Sequence, residues 1–199
     1  MQITAIVKQK NGSYDIYVDG EKVEKLDAIV LAAKKNIKVG AEITEEELHN
    51  IKKESGENFA FEAGIKYISR NMRTESEVRE KLLSLGYSAL DTESAINKLK
   101  SYGYVNDRSY CKAYVSTYGR NRGRIRLSFE LANKGVDKEI IAECLPEDDR
   151  ISAEVMAKSK MQKYPERDKM IRYLMGRGYE YEVAREVAQE VCTTEVEYD

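Results

Sequence analysis

The sequence predicts a mainly α-helical protein. Three tandem three-helix repeats form an elongated curved array, preceded by a small N-terminal module containing a β-hairpin. Three observations predict this. The 199 residues include only two prolines and are rich in Lys, Glu, Ala and Leu, so breakers are scarce and helix formers abundant. Gly86, Gly135 and Gly178 each close a helical pattern in the same way. Near the N-terminus, "SYDIYVDGEKVEKL" instead alternates apolar and polar residues, which is the period of a strand.

The N-terminal module takes residues 1–55. Asp19-Gly20 sits in the middle of the alternating stretch and is a strong signal for a tight hairpin turn. A short apolar helix follows from about Asp27, and "TEEEL" opens another, with Thr44 and Glu47 spaced as a capping box. "ESGEN", 54–58, is polar and contains a glycine, so it is expected to be a break and a domain boundary.

Three repeats follow, at 56–105, 106–147 and 148–199, the last ending in an acidic tail. Eight and four residues before each glycine stand Val78 and Leu82, Leu127 and Leu131, and Met170 and Leu174. Directly after the glycines come Tyr87, Val136 and Tyr179. This is the pattern of a Schellman stop: glycine takes the left-handed position without a Cβ clash, and the flanking apolar pair touches across it. A second helix follows each stop, in "DTESAINKLKSYG", "DKEIIAECL" and "EYEVAREVAQEV". A longer helical pattern precedes each, from near Asn58, Asn106 and Asp148. One such unit cannot bury its own apolar face, so neighbours must stack.

Several function classes are excluded by what the chain lacks. "MQITAIVKQK" has no apolar core, and the longest apolar run is Ala28 to Ala33, so neither a signal peptide nor a membrane span is expected. Cys111, Cys144 and Cys192 are dispersed, which suits a reducing cytoplasm with each thiol a small buried apolar group. His49, the only histidine, lies in a Glu/Lys-rich helix and reads as a surface residue. Gly119 and Gly123 lack the GxxxxGK[ST] order of a phosphate loop. "PEDDR", 146–150, reads as a helix start, where carboxylates meet the positive end of the dipole. No catalytic residue, metal site or cofactor is expected.

The sharpest feature is "YGRNRGRIRLS", 118–128, with Arg120, Arg122, Arg124 and Arg126 in seven positions. Between Arg108 and Lys134 seven basic residues face one acid, Glu130, whereas the whole chain has a formal charge of −2. Arg124 and Arg126 fall at the start of a helix, where the dipole disfavours cations. An anionic partner would reverse that penalty, because helix N-termini bind phosphates and carboxylates and arginine grips both bidentately. Arg120, Arg122, Arg124, Arg126 and Lys134 are therefore the candidate partner-binding or nucleic-acid-binding residues. Tyr110, Tyr114 and Tyr118 form a helical stripe leading into the cluster, read as core packing or as a platform for bases.

The same residues carry a family resemblance. "AGIKYISRNMRTESEVREKLLSLGY", "INKLKSYGYVNDRSYCKAYV" and "GRIRLSFELANKGVDKEII" resemble the RecX family, bacterial regulators of the RecA recombinase. The resemblance covers nearly the whole chain and is most specific from "GYVND" to "KGVD". It departs at Asn106, where an acid is more usual, and at Phe129, where a polar residue is. It implies a cytoplasmic, monomeric, non-enzymatic modulator acting in homologous recombination, DNA repair and the SOS response. Family members lie in the groove of the RecA–DNA filament and restrain its growth, ATP hydrolysis and strand exchange, and some bind single- or double-stranded DNA. The alternative from another class is a helix-turn-helix transcription regulator, whose recognition helix would follow a glycine stop. A third is a helical scaffold for some other protein.

Overall fold

Asp19 and Gly20 have φ of 51° and 87°, the paired positive values of a tight two-residue hairpin turn. They join β2 (Tyr14–Val18) to β3 (Glu21–Leu26), as the sequence predicts. An unexpected third strand, β1 (Ile3–Lys8), pairs antiparallel with β2 and gives the order β1-β2-β3. Its alternation is broken by an irregularity in register between Ile3 and Ala5. Ile3 and Ile6, three apart, therefore both meet the core, and the period-2 signal is lost.

The structure, a computed structural model, describes residues 1–193. The acidic tail expected after the last repeat lies outside the described residues. The chain divides into two compact units, one of Met1–Arg73 with Glu77–Val105, the other of Thr74–Ser76 with the residues from Asn106 on.

In the first unit, α1 (Ala28–Ala33) is capped by Asp27, whose carboxylate accepts from the N–H groups of Ile29 and Val30. The capping box of Thr44 and Glu47 opens α2 (Glu45–Ile68), a helix of 24 residues. This corrects the boundary at residue 55: α2 runs unbroken through 54–58. Ser55 is buried and its hydroxyl accepts the Asp27 N–H at 3.1 Å. A Cβ at Gly56 would lie 2.8 Å from an Asp91 carboxylate oxygen, and one at Gly64 2.8 Å from Leu99. After α3 (Glu75–Ser84) comes α4 (Ala89–Ser101), and these small residues let it approach α2 closely. Composition alone cannot tell such a contact from a break. α2 thus serves two cores. Leu48 and Ile51 pack with the sheet residues Ile3, Ile16 and Leu26, while Ala60 packs with Val78, Leu82, Ile96 and Leu99.

The second unit holds α5 (Asp107–Tyr118), α6 (Arg124–Asn133), α7 (Lys138–Cys144), α8 (Arg150–Lys160), α9 (Arg167–Gly176) and α10 (Tyr181–Thr193). Cys111, Leu131, Val136 and Ile141 form one core. Met170, Leu174, Tyr179, Ala184 and Val187 belong to the other.

The three predicted stops are present with full hydrogen bonding. The N–H groups of Tyr87, Val136 and Tyr179 donate to the carbonyls of Leu82, Leu131 and Leu174 at 3.3, 3.2 and 3.3 Å. Gly86, Gly135 and Gly178, at φ 89°, 76° and 90°, donate to Leu83, Ala132 and Met175 at 3.0, 2.9 and 2.9 Å. All three leucines are fully buried. A fourth stop, at Gly103, ends α4 with the same spacing, Leu99 four residues before it and Tyr104 directly after, whose N–H donates to the Leu99 carbonyl at 2.9 Å, although here the tyrosine is exposed.

The stops should differ in tolerance. Nothing lies near a Cβ added at Gly86, so Gly86→Ala should cost only the left-handed backbone, about 1 kcal/mol. At Gly178 the same atom would lie 2.3 Å from the Cβ of Arg126 and 2.7 Å from its nitrogen, so Gly178→Ala should cost a further ~1–3 kcal/mol. Urea unfolding of the two variants reads this difference, and equal losses would overturn it.

Candidate partner-binding surface

The arginine stretch is shaped by a backbone contact that its local sequence does not announce. Gly123 precedes α6, and a Cβ on it would lie 2.2 Å from the carbonyl oxygen of Gly178. The glycine is needed for that approach, not for a phosphate. The Gly123 N–H donates to the Arg177 carbonyl at 3.0 Å and the Ile125 N–H to the Gly178 carbonyl at 3.1 Å. The N–H between them, on Arg124, donates to Asp149 Oδ2 at 2.7 Å. The start of α6 is therefore filled from within the chain by two carbonyls and a carboxylate. This corrects the expectation that the helix terminus awaits an external anion. The acid that satisfies the dipole is present, but 25 residues downstream.

Asp149 is 6% exposed. Burial pushes its carboxyl above the usual range, against the pull of the Arg124 N–H and guanidinium. "PEDDR" does open α8, yet only Asp148 serves it, accepting the Arg150 N–H at 2.8 Å.

The five candidate residues have different surroundings. Arg120, in the turn after α5, is exposed and makes no hydrogen bond or ion pair among the described residues. Arg122 Nη1 lies 2.5 Å from Glu130 and 3.0 Å from the Tyr114 hydroxyl, and its guanidinium sits 4.1 Å from the centre of the Tyr118 ring. Arg124 binds the Glu147 carbonyl, half-buried, with its Nε enclosed and unpartnered. Arg126 Nε reaches the other Glu130 oxygen at 2.9 Å, its side chain 42% exposed. Lys134 places its ammonium 5.7 Å from the Tyr110 ring.

Glu130 thus gathers Arg122 and Arg126, while Arg124 turns to the Glu147 carbonyl. Four arginines against one glutamate make a sequence excess of three positive charges between 120 and 130, of which Arg124 is met by the Asp149 carboxylate from outside the stretch. Burial would raise the Glu130 carboxyl, but hydrogen bonds from Arg126, Tyr114 and Arg122 outweigh it and hold the group below the ordinary carboxylate value.

The tyrosine stripe is a ladder with two ends. Tyr110 and Tyr114 stack at 6.1 Å between centroids and pack on the Cys111–Leu131 core. Tyr118 meets Tyr114 at 4.6 Å and faces outward. Cys111 is buried, its thiol pushed up to about 12 by burial and by the neighbouring Cys144, so it is no nucleophile. Cys144 and Cys192 are half-buried rather than buried, and His49 is exposed. Among the described residues no group of three His, Cys, Asp or Glu could hold a metal, and no helix is long and apolar enough to cross a membrane.

Several exposed apolar side chains do not stand out in the sequence. Ile125 and Phe129 are 55% and 66% exposed on α6 beside Arg126, and Ile151 and Val155 are 79% and 61% exposed on α8. Both pairs are spaced i, i+4 and lie off the core stripe of their helix. That offset is the signal that could have found them.

Comparison with known proteins places family models on two of the helical units. Residues 60–99 match the family model described as RecX, first three-helix domain, and residues 106–145 match RecX, second three-helix domain. A regulatory protein RecX of Caldanaerobacter subterraneus is 33% identical over 92% of this chain and 95% of its own. One of Clostridium beijerinckii is 31% identical over 96% and 95%. A crystal structure of a regulatory protein RecX superposes with a TM-score of 0.70 at 25% identity, covering 98% of this chain and 99% of that one. RecX from Lactobacillus salivarius, at 24% identity, shares the fold with a TM-score of 0.62 over 68% of this chain.

The Glu130 network predicts an acid limb. A folded-state pKa below the unfolded one means that the stabilisation is present above the unfolded value of about 4.3 and is lost as pH falls through the folded value. Glu130→Gln should therefore flatten the loss of stability between about pH 5 and pH 2. Denaturation midpoints measured across that window check it, and an unchanged acid limb in the variant would refute the assignment.

Proposed function

The chain belongs to the RecX family of regulatory proteins, and from that premise we propose that it binds the RecA recombinase filament and restrains its growth, ATP hydrolysis and strand exchange. It does so by occupancy, with no chemistry of its own. The observation that carries the reading is the excess of positive charge in 120–126, held on a fixed frame in a chain that is otherwise acidic. An excess of one sign in one place creates a local field that the net charge conceals. A nucleoprotein filament offers a repeating anionic surface for that field to meet. Arg120 and Arg126 present the charge outward, while Arg122, Arg124 and Lys134 brace it from half-buried positions.

Charge placement weighs against the transcription-regulator alternative. The helix after the second stop, α7, carries Glu139 and Glu143 against Lys138, and α10 carries Glu182, Glu186 and Glu190 against Arg185. A recognition helix with that balance would repel the phosphates flanking the major groove.

RecA ATPase on single-stranded DNA tests the proposal. The rate should fall when this protein is added in stoichiometric amounts, and an unaffected rate would overturn the reading. Replacing Arg120 and Arg126 together by alanine should leave the fold intact and weaken the inhibition. If both touch phosphate, the log–log salt slope of DNA binding should drop by nearly 2, about 0.9 for each phosphate no longer neutralised. An unchanged slope with weakened inhibition would assign the pair to the protein partner.

A further inference from the structure

α8, the loop after it and α9 carry a second excess of positive charge, separate from the arginine cluster. Between Lys158 and Arg177 seven basic residues stand against two acids, Glu166 and Asp168. Lys169 pairs with Glu166 at 2.6 Å, and the other six basic residues make no ion pair among the described residues. Asp168 lies in the first turn of α9, where the helix dipole favours it. The acids on adjoining elements are engaged elsewhere. Glu154, Glu186 and Glu190 gather on Arg150, Glu182 pairs with Arg185, and Glu180 lies near Asp149, at the opposite end of α8.

Two tyrosines hold part of this charge in place. Tyr164, in the loop, stacks on Tyr173 of α9 with 4.7 Å between ring centres and 23° between their planes. The Lys163 ammonium lies 5.5 Å from the centre of the Tyr164 ring, and the Arg177 guanidinium 5.3 Å from that of Tyr173. Each ring of the stacked pair thus carries a cation. The Tyr173 hydroxyl donates to Met156 Sδ at 3.2 Å, and both tyrosines pack against the core that holds Met170 and Leu174. Lys169, Tyr173 and Arg177 follow at i, i+4 and i+8, along one flank of α9.

This chemistry selects a polyanion. Protein interfaces anchor on large apolar side chains, and between 158 and 177 only Met175 of that kind is exposed. Nucleic-acid interfaces are more polar and strongly positive. Among nucleic acids the tyrosines favour a single strand, whose unpaired bases stack on aromatic rings and guanidinium planes while lysines follow the phosphates. Lys163 is exposed, so its ammonium can swing to a phosphate and yield the Tyr164 face to a base. We propose that the surface of α8 and α9 centred on Tyr164 and Tyr173 is a binding site for single-stranded DNA. Lys163 and Arg177 hold phosphates there, and Tyr164 stacks a base. The site is separate from Arg120 and Arg126, and it binds DNA without the recombinase, so it does not rest on the function inferred above.

Fluorescence anisotropy of labelled oligo(dT), with the full chain and no recombinase, tests this. Replacing Lys163 and Arg177 together by alanine should lower the log–log salt slope by about 1.4, roughly 0.7 for each phosphate on a single strand. Tyr164→Ala should weaken binding about fivefold or more, the loss of one base–aromatic stack, while Tyr164→Phe should bind like the unaltered chain. Replacing the exposed Lys35 and Lys38 by alanine removes the same charge outside the site and should change nothing. Circular dichroism confirms that each variant is folded. No binding by the unaltered chain, or an unchanged slope in the Lys163/Arg177 variant, would overturn the site. An equal drop in the Lys35/Lys38 variant would mean unspecific charge attraction and overturn it too. A duplex of the same length should bind more weakly, and equal binding would overturn the assignment to a single strand. If the Lys163/Arg177 variant keeps its DNA affinity but loses inhibition of RecA ATPase, the surface serves the protein partner and the DNA site fails while the function stands.

Discussion

The meeting of Gly123 with Gly178 is the contact on which the second unit depends. Two backbones approach so closely there that neither residue could carry a Cβ. The approach lets the first N–H groups of α6 reach the last carbonyls of the α9 stop, so two helix ends satisfy each other. Each end would otherwise leave unpaired polar groups in a packed region, at ~1–3 kcal/mol apiece. Asp149 closes the one gap between these bonds, accepting the Arg124 N–H from a buried position. The turn from α5 to α6, the start of α8 and the stop after α9 are thereby fixed relative to one another.

The arginine cluster takes its form from that constraint. Gly123 has to be glycine, so it cannot cap α6 with a side chain, and the stretch "RNRGRIR" wraps around it. Arg124 is drawn inward to the Glu147 carbonyl, whereas Arg122 and Arg126 diverge to the two oxygens of Glu130. Exposed ion pairs contribute ~0–1 kcal/mol, so a cluster of this kind adds little to stability. Glu130, with Asp149 beside Arg124, does not match the four guanidinium groups one for one. Much of the positive charge is left unused by the fold, and that surplus is what connects the cluster to binding.

Local chemistry was legible in the sequence and long-range chemistry was not. The stops at Gly86, Gly135 and Gly178, the turn at Asp19-Gly20 and the capping box at Thr44 depend on residues within five positions of each other, and all are present. The strand β1 was hidden because an irregularity at its start disturbs the alternation. Residues 54–58 looked like a break because Ser55 and Gly56 serve partners at Asp27 and Asp91, far away in the chain. Asp149 does lie at a helix start, but its partner is the start of a different helix. The exposed apolar pairs Ile125/Phe129 and Ile151/Val155 could have been seen as i, i+4 spacings off the core stripe. They were hidden by the stronger arginine signal.

Frame and surface draw on separate residues. Leucines, glycines and one buried acid hold the second unit, while Arg120, Arg126, Phe129, Ile151 and Val155 are exposed and contribute little to its packing. A surface built on fixed helix ends gives up little freedom when a partner arrives, and freedom given up is a main cost of association. Phe129 illustrates the point. It stands on the same helix as Arg126, two-thirds exposed, where a fold optimised for solubility alone would place a polar side chain. Because the start of α6 is pinned at Gly123, the backbone positions that carry Phe129 and Arg126 are set within the second unit before any partner binds.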